Sequence, residues 1–331
     1  MKEKFKVLNY NEEKKLNLQE KKEYYKQLRE YLLTRELKVT TKGATTIAPK
    51  LKEITNDLAK MTCKIFTAKD AEIIYDGQEN IPAGSVVFAQ SHQGILDNFV
   101  WIPAIKQHCI ILHGAEVNKL LLAAQLNSGL ILVKKGDKEN NLNAKLDQIE
   151  VLLKGHSVMC CPESTWNLSP NKLHLPLNFG FLDVARKAQC PVVPVVHEFT
   201  YDTTKETETI TKVHTRFSKP IYINEEDNIF EKLAEYSEAI STMRYELIEE
   251  KGIEKSSNVS NQDYINFLKG NYKNLKLGKL DLEKEFKYIY RDDPDFYLFH
   301  HINDVPFDEN GNLLETEEVL KLKKINEKHH I

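Results

Sequence analysis

Ser85-Val86-Val87-Phe88-Ala89-Gln90-Ser91-His92-Gln93-Gly94-Ile95-Leu96-Asp97 is the stretch that decides how the chain is read. Its first five residues are a compact apolar run between polar neighbours, which predicts a short buried strand. A helical pattern follows over residues 96–106, so His92 falls in the turn from strand to helix. Short apolar runs of the same kind recur at 109–112, 130–133, 157–161 and 192–196, with another at 73–75 upstream. Helical stretches separate them at 117–126, 140–153 and 179–188, and residues 230–251 read as a closing helix. Buried strands alternating with helices predict an α/β domain whose mostly parallel central sheet is flanked by helices.

On either side of this domain the pattern changes. In residues 12–37, Leu16, Leu18, Tyr24, Tyr25, Leu28, Tyr31, Leu32 and Leu33 recur at roughly helical spacing among Lys and Glu. Thr41-Lys42-Gly43-Ala44 breaks that pattern, and a second helix is expected over 48–64. Three parts follow: an N-terminal helical region over 1–67, the α/β domain over 68–251, and a C-terminal extension over 252–331. The extension is polar, with aromatic clusters at 288–290 and 296–301 and no catalytic motif, and is expected to pack back onto the domain.

The 331 residues are 41% hydrophobic and 29% charged, which is the composition of a chain that buries a core. No run approaches the roughly 18 to 20 apolar residues that cross a bilayer. The charged start, Met1-Lys2-Glu3-Lys4, lacks the apolar core of a signal peptide, so a cytoplasmic protein is expected. The five cysteines (63, 109, 160, 161 and 190) show no zinc-type spacing and read as reduced thiols. Residues 1–64 carry sixteen Lys and Arg against nine Asp and Glu. That excess either meets anionic lipid or is an ordinary solvated helix surface.

The carboxyl ends of strands in open α/β sheets are where ligands usually bind. A carboxylate five residues after His92, across such a turn, can hold its imidazole. That selects the tautomer whose other nitrogen accepts a proton, for instance from a hydroxyl attacking an acyl carbonyl. The alternative is a structural His bonded within the turn.

Further blocks bear on the choice. His92 and Asp97 match the His-x4-Asp motif of the glycerol-phosphate and lysophosphatidate acyltransferase family, which the sequence resembles. Gly129-Leu130-Ile131-Leu132-Val133-Lys134-Lys135 resembles its second block, Cys161-Pro162-Glu163-Ser164-Thr165 its third and Cys190-Pro191-Val192-Val193-Pro194-Val195 its fourth. Residues 76–82 and 217–221 resemble the approach to the catalytic strand and the exit from the domain. The resemblance implies an acyltransferase of phospholipid biosynthesis that forms no acyl-enzyme. His92 is then the general base and Asp97 its orienting partner, while Glu163, Ser164, Thr165, Trp166, Lys134 and Lys135 contact substrate. The donor is acyl-CoA or an acyl carrier protein thioester, a co-substrate, with no cofactor and no metal. Action on a lipid acceptor implies a peripheral position on the inner face of the membrane, with the N-terminal helices supplying attachment.

The departures narrow the acceptor. Trp166 stands where the third block usually ends in Arg, Ser164 where it has Gly, and Lys135 where the second block has Arg. Arg offers phosphate a planar two-donor fork, whereas Lys acts as a point charge. Lys134, Lys135 and Lys172 compensate only in part, so glycerol 3-phosphate is the less expected acceptor. A glycan, another lipid head group or a different hydroxyl or amine is credible. Trp166 stacks on a sugar ring or packs at the rim.

Other chemistries find little support. Cys160 and Cys161 end an apolar strand with no His beside them in sequence, so both read as buried packing rather than nucleophiles. His108, His113, His156, His174 and His197 form no metal-ligand pair of the helical type. Glycine-rich phosphate loops and nucleic-acid motifs are absent from the sequence. The remaining alternative is an acyltransferase-like fold that only binds lipid or a protein partner.

Overall fold

Apolar runs that alternate with helices do form one sheet. The computed structural model describes residues 5–35, 71–93, 97–114, 130–134, 137–164, 167, 173–202, 209–251, 314–317, 319–320 and 324. Its strands are β1 (Glu72–Asp76), β2 (Val87–Gln90), β3 (Cys109–Gly114), β4 (Leu130–Val133), β5 (Ser157–Cys160), β6 (Val192–Asp202) and β7 (Thr209–Phe217). They lie in the order β1-β7-β6-β2-β5-β3-β4. Strands β6, β2, β5, β3 and β4 run parallel. β7 turns back antiparallel to β6, and β1 closes the edge parallel to β7. Every residue of β2 and β5 is buried. Strands covered on both faces have no polar side to show, which is why their sequences are unbroken apolar runs.

The α-helices among the described residues include α1 (Tyr10–Lys14), α2 (Leu18–Thr34), α3 (Asp97–Val100), α4 (Lys138–Leu153), α5 (Gly180–Ala188) and α6 (Ile229–Lys251). Residues of α2, α4, α5 and α6 pack with Val87, Ala89, Val158, Val192 and Val196 in a core on one face of the sheet. Val100, Trp101 and Ile102 pack on the other face with Phe88, Met159, Val193 and Phe217. None of the described helices is long and apolar enough to cross a membrane.

The helix expected over 12–37 is two. Asn17 caps α2 by accepting from Glu20 N at 3.0 Å, while Glu20 accepts from Asn17 N at 2.8 Å. This capping box starts a new helix instead of continuing α1. Tyr25, Leu28 and Leu32 of α2 are buried in the same core as β2, so this helix is joined to the α/β domain. An interior ionic cluster ties the two together. Lys187 lies 2.6 Å from Glu13 and 3.0 Å from Asp183, while Lys145 and Arg186 reach Asp183 at 2.7 and 2.9 Å. Two cations of the basic N-terminus also turn inward: Arg29 to Glu225, and Arg35 to Asp147 and Glu150.

The helix expected over 96–106 stops at Val100, and Ile102–Ala104 is a 3-10 turn. Pro103 explains the stop, because it lacks an N–H and biases its predecessor away from the α region. β6 runs on to Asp202, and β7 is a strand the sequence reading did not include. The helices expected over 48–64 and 117–126 lie outside the described residues, as does nearly all of the C-terminal extension. Within it, Val319 is buried against the core formed by α2 and α4 to α6.

Candidate active site

Beyond Gln90 the β2 ladder continues for one step, Ser91 N donating to Val195 O at 2.9 Å. His92 is the next residue. From β2 the chain leaves to α3 on one face of the sheet, and from β5 it leaves towards α5 on the other. Connections departing to opposite faces open a crevice at the carboxyl ends of the two strands, the usual place for a ligand.

His92 Nδ1 lies 3.0 Å from Asp97 Oδ2, and the aspartate is wholly buried. The same oxygen accepts from Gln93 N at 2.5 Å, so the carboxylate is fixed before it meets the ring. A proton on Nδ1 directed at Asp97 leaves Nε2 as the nitrogen for chemistry. Burial alone would lower the basicity of His92. Cys161 and Asp97 outweigh it and raise the pKa to about 10.

Glu163 is placed differently from a substrate contact. Its Oε1 accepts from His92 N at 2.9 Å and its Oε2 from Leu175 N at 2.7 Å. Burial pushes its carboxyl up to about 7 against those two hydrogen bonds. Asn167 N donates to His92 O, so the backbone of His92 is held on both sides. Glu163 is therefore a positioning residue. Glu163→Gln would leave one of the two amides facing an NH2 group. The expected cost is about 1–3 kcal/mol in urea unfolding, with a lower kcat at nearly unchanged KM; an unaltered midpoint and kcat would refute the role.

Ser164 closes the turn, donating its N–H to Cys161 O at 3.0 Å. Its φ is 56°, the left-handed region where side chains other than glycine are strained. The fold thus retains the backbone that Gly would suit. Ser164→Gly is expected to raise stability by up to about 1 kcal/mol, the relief of strain being partly offset by a more flexible unfolded chain. A urea midpoint that falls would contradict this.

Lys134 follows β4 at the carboxyl end of the sheet, but three strands from β2, roughly 14 Å away at about 4.8 Å per strand. It suits a remote charge on a substrate and not the reacting centre. Lys135, Thr165, Trp166 and Lys172 lie outside the described residues.

Cys161 is the neighbour the sequence reading missed. Cys160 is buried in the core beside α6, and burial raises its thiol well above the ordinary value. Cys161 points to the opposite face, next to the residues around Trp101. There it hydrogen-bonds with the His92 ring and accepts from Gln90 Nε2 at 3.3 Å. Cys160 is buried as expected, whereas Cys161 is only partly buried where it packs against the core around Trp101. Strand alternation was the available signal, since consecutive residues face opposite sides. Gln90 itself is oriented by Trp101 Nε1 and His197 Nε2, which both meet its Oε1. Burial depresses His197 to about 4, so it is neutral.

Asp76, His214 and Glu250 could between them offer three ligand atoms to a metal. Arg216 already lies 3.0 Å from Asp76 and 2.8 Å from Glu250, so a guanidinium supplies the balancing charge.

A His–Asp pair in a strand-to-helix turn at the crevice of a mostly parallel sheet has the geometry to take a proton from an attacking group. Residues 72–198 match the family described as Acyltransferase. The matched span runs from β1 into β6 and includes His92, Asp97 and Glu163. Among solved structures the chain is similar to the 1-acyl-sn-glycerophosphate (LPA) acyltransferase PlsC from Thermotoga maritima. The identity is 21%, over 62% of this chain and 82% of that one, with a TM-score of 0.46. No curated protein matches the chain.

Proposed function

We propose that the protein moves a fatty acyl group from an acyl-CoA or acyl carrier protein thioester to a hydroxyl of a lysophospholipid, glycerolipid or related acceptor. The observation that carries this is the contact of His92 Nδ1 with the buried Asp97 carboxylate at the mouth of the crevice. The acceptor hydroxyl gives its proton to His92 Nε2 and its oxygen attacks a thioester carbonyl. The thiol leaves and takes up the proton. In the simplest, direct form that thioester is the donor's own and no acyl-enzyme forms. Lysophosphatidate is the first acceptor to try, since the similar solved enzyme is named for it. The Trp166, Ser164 and Lys135 departures support acceptors with less demand for a phosphate clamp. The protein works on lipid from a peripheral position on the inner face of the membrane.

The test presents labelled acyl-CoA and acyl carrier protein donors with lysophosphatidate, glycerol 3-phosphate and a whole lipid and glycan extract. A labelled product formed by wild type and not by His92→Ala is expected. No such product from folded protein would overturn the reading and favour a lipid- or protein-binding role.

A further inference from the structure

Glu163 holds the His92 amide, and two further buried polar side chains stand behind Glu163. His174 and Ser237 are 8% and 4% exposed. Ser237 lies on the core face of α6, among the buried residues Leu233, Tyr236, Ile240 and Met243. A hydroxyl and an imidazole in such a place cost free energy unless they find partners. They meet each other. His174 Nε2 lies 2.8 Å from Ser237 Oγ, and His174 Nδ1 lies 2.7 Å from Leu175 O. The Leu175 carbonyl can only accept, so Nδ1 donates to it and Nε2 is left to face the Ser237 hydroxyl.

From there the bonds continue to the base. Leu175 N donates to Glu163 Oε2 at 2.7 Å, and Glu163 Oε1 accepts from His92 N at 2.9 Å. Ser237, His174, Leu175, Glu163 and His92 thus form one chain of contacts. The adjacent residue of α6 supplies a second reference point: Tyr236 donates its hydroxyl to Ala89 O at 3.2 Å, on the strand that leads to His92. One helix therefore registers both the strand that carries His92 and the segment that holds it. That helix lies wholly beyond residues 72–198, the span that matches the acyltransferase family.

We propose that His174 and Ser237 are positioning residues, setting Glu163 and through it the His92 backbone so that the ring meets Asp97 and the attacking hydroxyl together. This rests on the acyl-transfer reading above. Packing alone does not call for the pair, because two buried polar partners replaced together by apolar groups of the same shape can be nearly neutral. What an apolar pair lacks is a grip on Leu175, whose N–H meets Glu163. A misplacement of about 1 Å can cost about 10²-fold in rate, so this chain has leverage on kcat.

The test compares full-length wild type, Ser237→Ala, Ser237→Thr, His174→Phe and Ser237→Ala combined with Glu163→Gln. The substrates are hexadecanoyl-CoA and lysophosphatidate, or the pair that gives product in the assay above, with folding checked by circular dichroism. Ser237→Ala and His174→Phe are expected to lose about 10-fold in kcat, with each KM changed by no more than about twofold. Ser237→Thr keeps the hydroxyl and should retain most of the activity. Because the effect passes through Glu163, the combined variant should lose no more than the worse of its two parents. Selective 15N-histidine labelling reads the same bond apart from turnover. The His92 amide signal, identified by its loss in His92→Ala, should move upfield in Ser237→Ala. Ser237→Ala removes a single oxygen atom and decides the matter if His174→Phe does not fold. Unchanged kcat, losses confined to KM, losses that multiply in the combined variant, or a His92 amide that stays in place would overturn the proposal. No product from wild type with any donor and acceptor would sink the acyl-transfer reading itself, a result distinct from an active wild type beside unaltered variants.

Discussion

His92→Ala is expected to lower turnover by about 10²- to 10⁴-fold, the range that a positioned general base contributes. On the proposed reading the residue acts as a base at the crevice, and it belongs to neither core cluster, so the variant should unfold in urea close to wild type. Loss of activity together with loss of fold would not support the role; loss of activity alone does. The pH profile gives a second reading of the same residue. Its pKa of about 10 means that the unliganded protein holds His92 protonated through the neutral range. Direct attack needs neutral His92, so kcat/KM is expected to climb as pH rises towards about 10, and a profile flat across neutral pH would contradict it.

Asp183→Asn should be the most damaging substitution away from the site, costing about 3–5 kcal/mol by urea unfolding at neutral pH. It removes the carboxylate that Lys145, Arg186 and Lys187 share. Lys187 is almost fully buried and would keep only Glu13. Burial alone would raise the Asp183 pKa, but the three cations overcome it and hold the carboxyl well below 3.8. A carboxyl held low in the folded state contributes its full stabilisation above the unfolded value. That contribution is lost as pH falls below about 3.8. Wild type and variant should therefore differ most near neutrality and converge in acid. A gap that is constant with pH would mean the loss comes from packing and not from the charge.

What could be read from the sequence follows a physical boundary. β2, β3, β4 and β5 were legible because strands covered on both faces are forced into unbroken apolar runs. β7 was not, although Val213, Thr215 and Phe217 alternate with Lys212, His214 and Arg216. Alternation there competes with the polar residues that elsewhere mark loops. His92 and Asp97 were legible because they are five residues apart and one turn joins them. Glu163 and Cys161 reach His92 only because β5 lies beside β2. No local pattern encodes which strands become neighbours, so their part in the site waited for the sheet order. The adjacent cysteines show the same limit: their sequence context is shared, and only the pleat sends them to different environments.

The position of β1 carries a consequence for synthesis. Among the described residues it is the first strand of the sheet to emerge from the ribosome, and the partner it has there is β7, the last. Translation at about 5–20 residues per second leaves that strand's backbone unpaired for several seconds or more while the rest of the domain is made. During that interval a nascent chain ending anywhere between residues 77 and 208 displays a free strand edge. Stalled or truncated products from this window should therefore aggregate or occupy a chaperone, and completion of β7 is the step that releases them.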